Sequence, residues 1–438
     1  MDKILILIAL IFIVYYRTLR YKYVSDDIET AKNPKKYKNI LHKIWLMVFE
    51  VEKYHIQVDH FITILLHTAV CIMIYIAFGM NNISFIAALL FSINPINNQG
   101  SIWISGRGYV VPALFILIAM SVPIYLAIPS LIIAGKFLIG YYGSLVFLGS
   151  PLFYLILALP IIMVFNTKNF NRCVSDKINA DTIIEDRKIH FRKFILAIKT
   201  YGFYLTLCLI PFRISFLHSF LQSSSGNDIM QKRAYTMKDK FFWIGLTAIV
   251  SGIIYSCLHW DIISYGWLWF SISIAPFCNL IRLQQEIAER YAYFPCIGIM
   301  IALSNILVSY PIITALFFGY YLATLNNIME MYLDDYWLVE YAALNDKKSW
   351  FAWHLKALKR FEVGAFKEAL NLFVMAYMLS PKEFKLLINI AICLKIAKRD
   401  KEAEDFLQKA EKNILPGQEK ISKEVIDDFR KGKLGLLK

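Results

Sequence analysis

Residues 61–80 read FITILLHTAVCIMIYIAFGM, twenty residues without an Asp, Glu, Lys or Arg. A helix rises about 1.5 Å per residue, so a helix of this length covers the roughly 30 Å hydrocarbon core of a bilayer. The stretch therefore predicts a membrane-spanning helix. Comparable stretches recur along the chain, and their number decides the fold class.

The whole chain has the same apolar character. Of its 438 residues, 58% are hydrophobic and 15% are aromatic, and the mean hydropathy is +0.50. A soluble domain does not need this much apolar surface to fill its core. The composition predicts an all-α, polytopic membrane helical bundle with about eleven spans. The predicted spans are 4–16, 61–80, 84–93, 109–127, 131–148, 152–165, 194–214, 241–258, 262–280, 293–309 and 312–332.

Charge and cysteine usage limit the classes of partner. The net charge of +14 indicates contact with anionic head groups or a lipid phosphate, or else solvated basic loops. The basic residues are spread between apolar spans and form no single face, which argues against nucleic acid. The seven cysteines show neither metal-ligand nor redox spacing, so we expect small core hydrophobes.

The first span and the loops give an expected topology. Lys3 precedes the first span, Arg17 follows it, and no small-residue cleavage site comes after, so we expect an uncleaved anchor. A cytoplasmic N-terminus puts the basic segment 166–193 inside, as the positive-inside rule prefers, whereas the Lys-rich segment 17–53 weighs against it. The loops after spans one, three, seven and nine then lie on the non-cytoplasmic side, with the C-terminal region. Richness in Lys, Ile and Asn favours a bacterial plasma membrane, with the endoplasmic reticulum as the alternative.

Hydropathy falls after about residue 333, where a 34-residue self-similarity begins. Ala369, Phe373 and Ala376 recur as Ala403, Leu407 and Ala410, a tetratricopeptide pattern in which small residues let paired helices pack closely. We expect Phe366 and Phe373 to fill the seam of the first pair. The sequence thus predicts a membrane domain over 1–332 and a tetratricopeptide repeat domain over 333–438. The second domain would hold two repeats, at about 350–383 and 384–417, and a tail helix.

An acid pair, Asp26 and Asp27, follows the first span. One interpretation is structural: Asp26 as N-cap, with Glu29 three residues later, forms a capping box that opens a helix along the membrane surface. The functional interpretation is that one acid points into a cleft as a base while its neighbour caps the helix. The two interpretations are compatible.

Three further stretches carry polar groups at the edges of spans. His60 and His67 share one helix face, as ligand contacts or as structural histidines. Between spans three and four, a loop rich in Asn and Gln ends at Arg107, whose planar fork suits a phosphate or snorkels to the interface. Glu289 and Arg290 precede span ten, where they bind substrate or are solvated loop charges.

The order of these segments is similar to that of a known family. SDD at 25–27, HFITILLH at 60–67, NP to SGR over 94–107, AERYAYFP at 288–295 and then the repeats resemble the TMTC family. These are the transmembrane and tetratricopeptide-repeat-containing O-mannosyltransferases, within the GT-C superfamily of lipid-dependent glycosyltransferases. The resemblance covers nearly the whole chain. Asn94 and Gln99 stand where the family usually has a His and an acid.

The resemblance implies transfer of a sugar, mannose or a similar hexose, from a polyprenyl-phosphate or dolichyl-phosphate donor to a protein hydroxyl on the non-cytoplasmic side. Because the leaving group is already a stable anion, one carboxylate base is enough, and direct attack inverts the anomeric centre. Asp26 or Asp27 would be that base. A divalent metal is a further hypothesis. The implied donor-phosphate contacts are Arg107, Arg290, His60 and His67, and the implied substrate contacts are Asn94, Asn98, Gln99, Trp103, Glu289 and Tyr291.

Other functions fit the same pattern. A GT-C enzyme could glycosylate a lipid-linked or surface glycan instead of protein. A non-enzymatic lipid-carrier transporter or an assembly scaffold would use the repeats to bind a partner. A transporter is expected to show acids or broken helices near the bilayer midplane, often in matching halves, and the sequence shows neither clearly.

Overall fold

The computed structural model describes residues 2–32, 40, 43, 48, 55–137, 187–212, 214–218, 236–279, 285, 287–414, 419–432 and 435–437. Every regular element in these ranges is a helix, which confirms the all-α class. The described helices are α1 (Asp2–Tyr15), α2 (Asp26–Lys32), α3 (Ile56–Ala77), α4 (Asn82–Ile93), α5 (Asn98–Ser101), α6 (Arg107–Ser121), α7 (Ile124–Phe137), α8 (Arg187–Leu209), α9 (Lys240–Leu258), α10 (Ile262–Ile274), α11 (Pro295–Leu307), α12 (Pro311–Met329), α13 (Asp335–Asn345), α14 (Trp350–Glu362), α15 (Phe366–Leu379), α16 (Phe384–Ile396), α17 (Asp400–Lys412) and α18 (Glu419–Arg430).

Four helical segments in these ranges are long and apolar enough to cross a membrane: Ile56–Ala77, Ile104–Ser121, Lys240–Leu258 and Pro311–Tyr332. The last two are mostly unburied, and expose residues such as Ile254 and Leu316, as lipid-facing helices would. Several other apolar helices are shorter. The predicted span 152–165 and the end of span 131–148 lie outside the described residues, so the count of eleven stays a prediction.

Local sequence sets where these helices start. The Asn81 side chain accepts a hydrogen bond from the Ser84 amide, and the Ser84 hydroxyl accepts one from the Asn81 amide, which caps α4. The Asp239 and Asp261 carboxylates cap α9 and α10 by accepting hydrogen bonds from backbone amides of the first turn. α11 begins with Pro295, a residue well suited to the first turn of a helix.

The chain divides into two compact units, and the first comprises Met1–Asn171, Lys193–Ile214 and Met237–Leu338. In this unit α3 packs against α1, α4 and α6, while α4 also contacts α11 and α12. α10 and α11 cross closely at Gly266 and Gly298. A Cβ on either glycine would lie 2.4 Å from the other's carbonyl oxygen, so the crossing requires glycine on both helices.

The second unit includes Val339–Lys438. Its helix pairs α14–α15 and α16–α17 start at residues 350 and 366, and then at 384 and 400, so each start recurs after 34 residues. The turns recur as well, since Gly364 and Lys398 have φ values of +82° and +57°. Whether these pairs are tetratricopeptide repeats stays a prediction, but their period matches that of the sequence.

The core of the second unit follows the small and aromatic positions of the repeat. Ala369, Phe373 and Ala376 are fully buried, as are Leu407 and Ala410 in the next pair. Phe366 contacts the paired helix but does not fill the seam. Its ring lies 4.9 Å from that of Phe361 on α14, yet the residue is 41% exposed, because it is the first residue of α15 and lies at the end of the helix pair.

His354 predicts a pH dependence of this unit. It is buried among aromatic rings, and burial, together with the Lys385 charge, lowers the pKa of His354 to about 4. The unfolded chain takes up that proton near pH 6.5, so stability should fall as the pH drops from about 6.5 to 4. At pH 5 the loss is about 2 kcal/mol.

Hydrogen-exchange protection of α14 and α15 in the full-length protein measures this loss. His354→Phe keeps a ring in the aromatic cluster but cannot titrate, so its protection should change much less between pH 7 and pH 5. The exposed His259, changed to Gln, is the control. Equal acid sensitivity of wild type and His354→Phe would rule out His354 as the cause.

Candidate active site

The two acids of the first loop occupy different environments. α2 begins at Asp26, directly after Ser25, whose φ is +52°, so Asp26 lies in the first turn and not at the predicted N-cap position. Asp26 is exposed, whereas Asp27 is 1% exposed. The Asp27 Oδ1 accepts hydrogen bonds from the Ser105 amide at 3.0 Å and from the Ser105 hydroxyl. Asp27 is therefore the acid that contacts the loop before α6.

Arg107 is fully buried at the start of α6 and is held by the first turns of α3. Its Nε donates to Thr63 Oγ1 at 3.0 Å, and its Nη2 donates to the Asp59 carbonyl. The same Nη2 lies 3.8 Å from the Asp59 carboxylate, which is also fully buried. Tyr23 donates its hydroxyl to the other carboxylate oxygen at 2.7 Å. Asp59 therefore joins the first loop, α3 and α6.

Asp27 belongs to this same electrostatic environment. Both Asp27 and Asp59 act on the Arg107 guanidinium, with Asp59 the stronger. Burial and the hydrogen bond to Asp59 raise the pKa of the Tyr23 phenol above its usual range. Tyr23 thus stays a protonated donor at neutral pH. Two carboxylates and one guanidinium share a single buried cluster.

The loop between α4 and α6 folds back on itself at Gly106. A Cβ at Gly106 would lie 1.7 Å from the carbonyl oxygen of Gln99. This clash means that the two backbones are in direct contact, which only glycine permits here. The contact brings Gln99 beside Ser105 and Arg107.

Gln99 in turn holds Arg290, a second buried cation. Arg290 is 8% exposed, and its Nη1 donates to Gln99 Oε1 at 3.1 Å while its Nη2 donates to Gln285 Oε1 at 3.0 Å. Its Nε donates to the Tyr109 hydroxyl at 3.3 Å. In the described ranges, the side chains that bond it are all neutral.

Aromatic rings enclose the rest of the Arg290 guanidinium. The carbon Cζ lies 5.5 Å from the Trp103 ring centroid and 5.3 Å from that of Tyr291, distances at which a cation is attracted to a ring. Within the described part of the chain, Arg290 forms no ion pair, and the buried Nε2 of Gln99 has no hydrogen-bond partner. Among the described residues, this position therefore combines a cation that has no ion pair with a donor that has no partner.

Glu289 and Tyr332 connect the two halves of the site. Glu289 is fully buried and accepts a hydrogen bond from Asn98 Nδ2, while the Tyr332 hydroxyl donates to Asn98 Oδ1. The Tyr332 phenol interacts electrostatically with Glu289, Arg290 and Asp27. Asp27 and Arg290 thus both act electrostatically on one phenol.

The structure separates some predicted contacts from this cluster. Both ring nitrogens of His67 are within hydrogen-bond distance of protein oxygens, Tyr293 Oη at 2.7 Å and the Ser92 carbonyl at 3.0 Å. The Asn94 amide donates to the Cys208 carbonyl and accepts from the Ile96 amide. These bonds favour structural roles for His67 and Asn94 over the predicted phosphate and substrate contacts.

His60 lies next to Asp59 in the chain but turns its ring toward Tyr21. It is buried, with the two ring centroids 6.4 Å apart in an edge-to-face arrangement. No group of three or more His, Cys, Asp or Glu side chains in the described ranges is placed to hold a metal ion.

The sequence patterns did not identify three residues of the cluster, Asp59, Tyr23 and Ser105. A signal for Asp59 was present, since an acid just before an apolar span is costly to bury and so needs a partner. It also stands four residues before Thr63, on the same helix face. Tyr23 and Ser105 carry no such signal, because their roles depend on contacts with distant residues.

Gly106 allows a direct test of the loop. Gly106→Ala should lower the melting temperature of the detergent-purified protein by several degrees and disturb the Gln99–Arg290 contact, because its methyl group would overlap the Gln99 carbonyl. Gly108→Ala is the matched control, since no atom lies within 4 Å of its Cβ position and alanine favours a helix. Equal melting temperatures for the two variants would contradict the close backbone contact.

Comparisons with known proteins assign the chain to no family. No family model matches it, and neither a curated protein nor a solved structure does. The resemblance therefore rests on the sequence motifs, and a function has to be inferred from the geometry of the buried cluster.

Proposed function

We propose that the chain is a membrane glycosyltransferase that moves a sugar from a polyprenyl-phosphate donor to an acceptor hydroxyl, with inversion. One observation carries the proposal. The contact between Gly106 and Gln99 brings together Ser105, which binds the buried acid Asp27, and Gln99, which binds the buried cation Arg290. A base and an anion site side by side are what this transfer requires.

Arg290 supports the phosphate half of the reaction. A buried guanidinium that no carboxylate of the described ranges pairs with is costly, and a bound anion would compensate it. Its planar fork and the free Nε2 of Gln99 offer donors that match phosphate oxygens. As the bond between the sugar and the phosphate breaks, negative charge grows on the leaving oxygen, where fixed donors in a water-poor site have their largest effect.

Asp27 supports the acceptor half. In the proposed step the acceptor oxygen forms a bond to the anomeric carbon, the bond from that carbon to the phosphate oxygen breaks, and the acceptor proton moves to the Asp27 carboxylate. The polyprenyl phosphate leaves as an anion and needs no acid. The two Ser105 donors hold the carboxylate in one orientation. Asp26, which is exposed, would then have no catalytic role.

Arg107 has a different role in this proposal from Arg290. Its guanidinium is already paired with Asp59 and bonded to Thr63, so it contributes a fixed positive field near Asp27 more than a free phosphate contact. Asp59 and Tyr23 position it. We therefore infer that Arg290, more than Arg107, would contact the donor phosphate.

A surface pocket beside the site suits the lipid part of the donor. It has a volume of about 420 Å³ and is lined by Leu19, Arg20, Gln57, Val58 and Phe61. Gln57, Val58 and Phe61 flank Asp59 and His60 on α3. Its apolar side chains could pack against isoprene units, while Arg20 would remain at the rim.

The remaining features follow the resemblance. We infer a GT-C type bundle, a non-cytoplasmic site, and an acceptor protein oriented by the second unit. The sugar would be mannose or a similar hexose, and a bacterial plasma membrane is the favoured location. A lipid-linked glycan as acceptor would use the same base and anion site.

The two acids of the first loop provide a matched pair of variants. Asp27→Asn should lower sugar transfer at least 100-fold, because the base is lost while the side chain keeps its size. Asp26→Asn should leave the rate within a few-fold of wild type. Transfer of radiolabelled mannose from a polyprenyl-phosphate donor into membrane proteins or glycans measures both. Wild-type transfer by Asp27→Asn, with normal expression, would exclude Asp27 as the base.

Arg290 gives a second prediction. Arg290→Gln should slow transfer on the order of 100-fold, as removal of a preorganised donor to a developing anion commonly does. Arg290→Lys should recover only part of the rate, because lysine keeps the charge but loses the fork and the ring contacts. Arg399→Gln, on the exposed surface of the second unit, is the control. Unchanged donor KM and kcat in Arg290→Gln would remove Arg290 from the phosphate site.

A further inference from the structure

Residues 435–437 are bound by a side chain of their own repeat unit. The Asn389 amide donates to the Leu437 carbonyl at 2.9 Å, and its Oδ1 accepts from the Leu437 amide at 2.8 Å. One side chain thus satisfies both main-chain groups of one residue. The bonds depend on the backbone of Leu437 and not on its side chain.

Asn389 is placed to bind the main chain of a peptide. It lies on α16 and is fully buried, so burying it costs free energy unless its amide is paired. A carboxamide offers both a donor and an acceptor, which match the C=O and N–H of an extended peptide as a neighbouring strand would. A peptide from another molecule would satisfy the hydrogen-bonding groups of the Asn389 side chain equally well.

Further groups surround the bound segment. Leu436 and Leu437 pack against the core of the unit yet remain partly exposed. The buried His354 ring lies near the Leu437 backbone and interacts with it. The surface under the segment therefore offers apolar contacts to two leucine side chains, together with the Asn389 amide and a polar ring.

Residues 435–437 are joined to the repeat unit by a short stretch of chain, which would make them an effective competitor. The segment follows α18 and Gly432, whose φ of +79° turns the chain. A short tether gives such a segment a millimolar effective concentration, so it occupies the groove through few contacts. It would thereby exclude a weakly binding peptide from another molecule.

We propose that Asn389 marks a peptide-binding groove in the repeat unit, and that residues 435–437 occupy it as a built-in competitor. The ligand is an extended peptide with two consecutive aliphatic residues. This proposal does not depend on the transfer reaction, since it concerns residues of the second unit alone.

The test uses the full-length protein in detergent and a fluorescent peptide with the sequence of residues 431–438, KGKLGLLK. The double variant Leu436→Asp/Leu437→Asp should release the internal segment, and so bind the peptide at least tenfold more tightly than wild type. Adding Asn389→Ala to this variant should weaken binding at least tenfold. Adding Asn413→Ala, at the residue directly after α17, should not.

A second peptide tests main-chain recognition. Methylation of the amide nitrogen at the position of Leu437 removes the donor to Asn389, and should weaken binding at least tenfold. Binding that survives methylation or Asn389→Ala would overturn the proposal, as would equal or absent binding by wild type and the double variant.

Hydrogen exchange separates a displaceable segment from a structural one. In the wild-type protein the Leu437 amide should exchange at least 100-fold faster than amides in the middle of α16, because release does not require unfolding. The double variant should retain protection of α14 to α17. Loss of that protection, or equal exchange of Leu437 and α16 in wild type, would show that the segment is part of the fold and would refute the groove.

Discussion

A guanidinium buried between two membrane helices must be compensated where it lies. Arg107 meets this demand with the Asp59 carboxylate, the Asp59 carbonyl and the Thr63 hydroxyl, all on the first turns of α3. Removing either charge would leave the other less well compensated in a buried place, at large cost. The pair therefore fixes α6 against α3, and with it the loop that carries Ser105 and Gln99.

The second cation shows the opposite arrangement. Arg290 is bonded to amide and phenol oxygens and surrounded by aromatic rings, with no carboxylate bonded to it in the described ranges. The same residue type thus serves as a positioning group at 107 and as a candidate ligand site at 290. Sequence cannot separate these roles, because they depend on which partners the fold supplies.

In the repeat unit, the regular helix pairs leave an apolar surface that other segments of the same chain cover. Two helix pairs alone expose much of their apolar surface, and α18 and residues 435–437 cover part of it. Asn389 bonds the backbone of Leu437, so the contact with this segment depends on main-chain groups. A surface that stabilises two short repeats is therefore also one that a peptide could use.

Local periodicity was enough to predict the helical class, the apolar helices that the structure describes and the 34-residue period of the second unit. The sequence also singled out Asp27, Arg107, Gln99 and Arg290. Three features could be read only from the packed helices: Asp27 and not Asp26 is buried, Asp59 pairs with Arg107, and Phe366 is exposed. Ser105 and Asp27 are 78 residues apart in the chain, and Gln99 and Arg290 are 191 apart. Such contacts arise from the packing of whole helices, which no local pattern specifies.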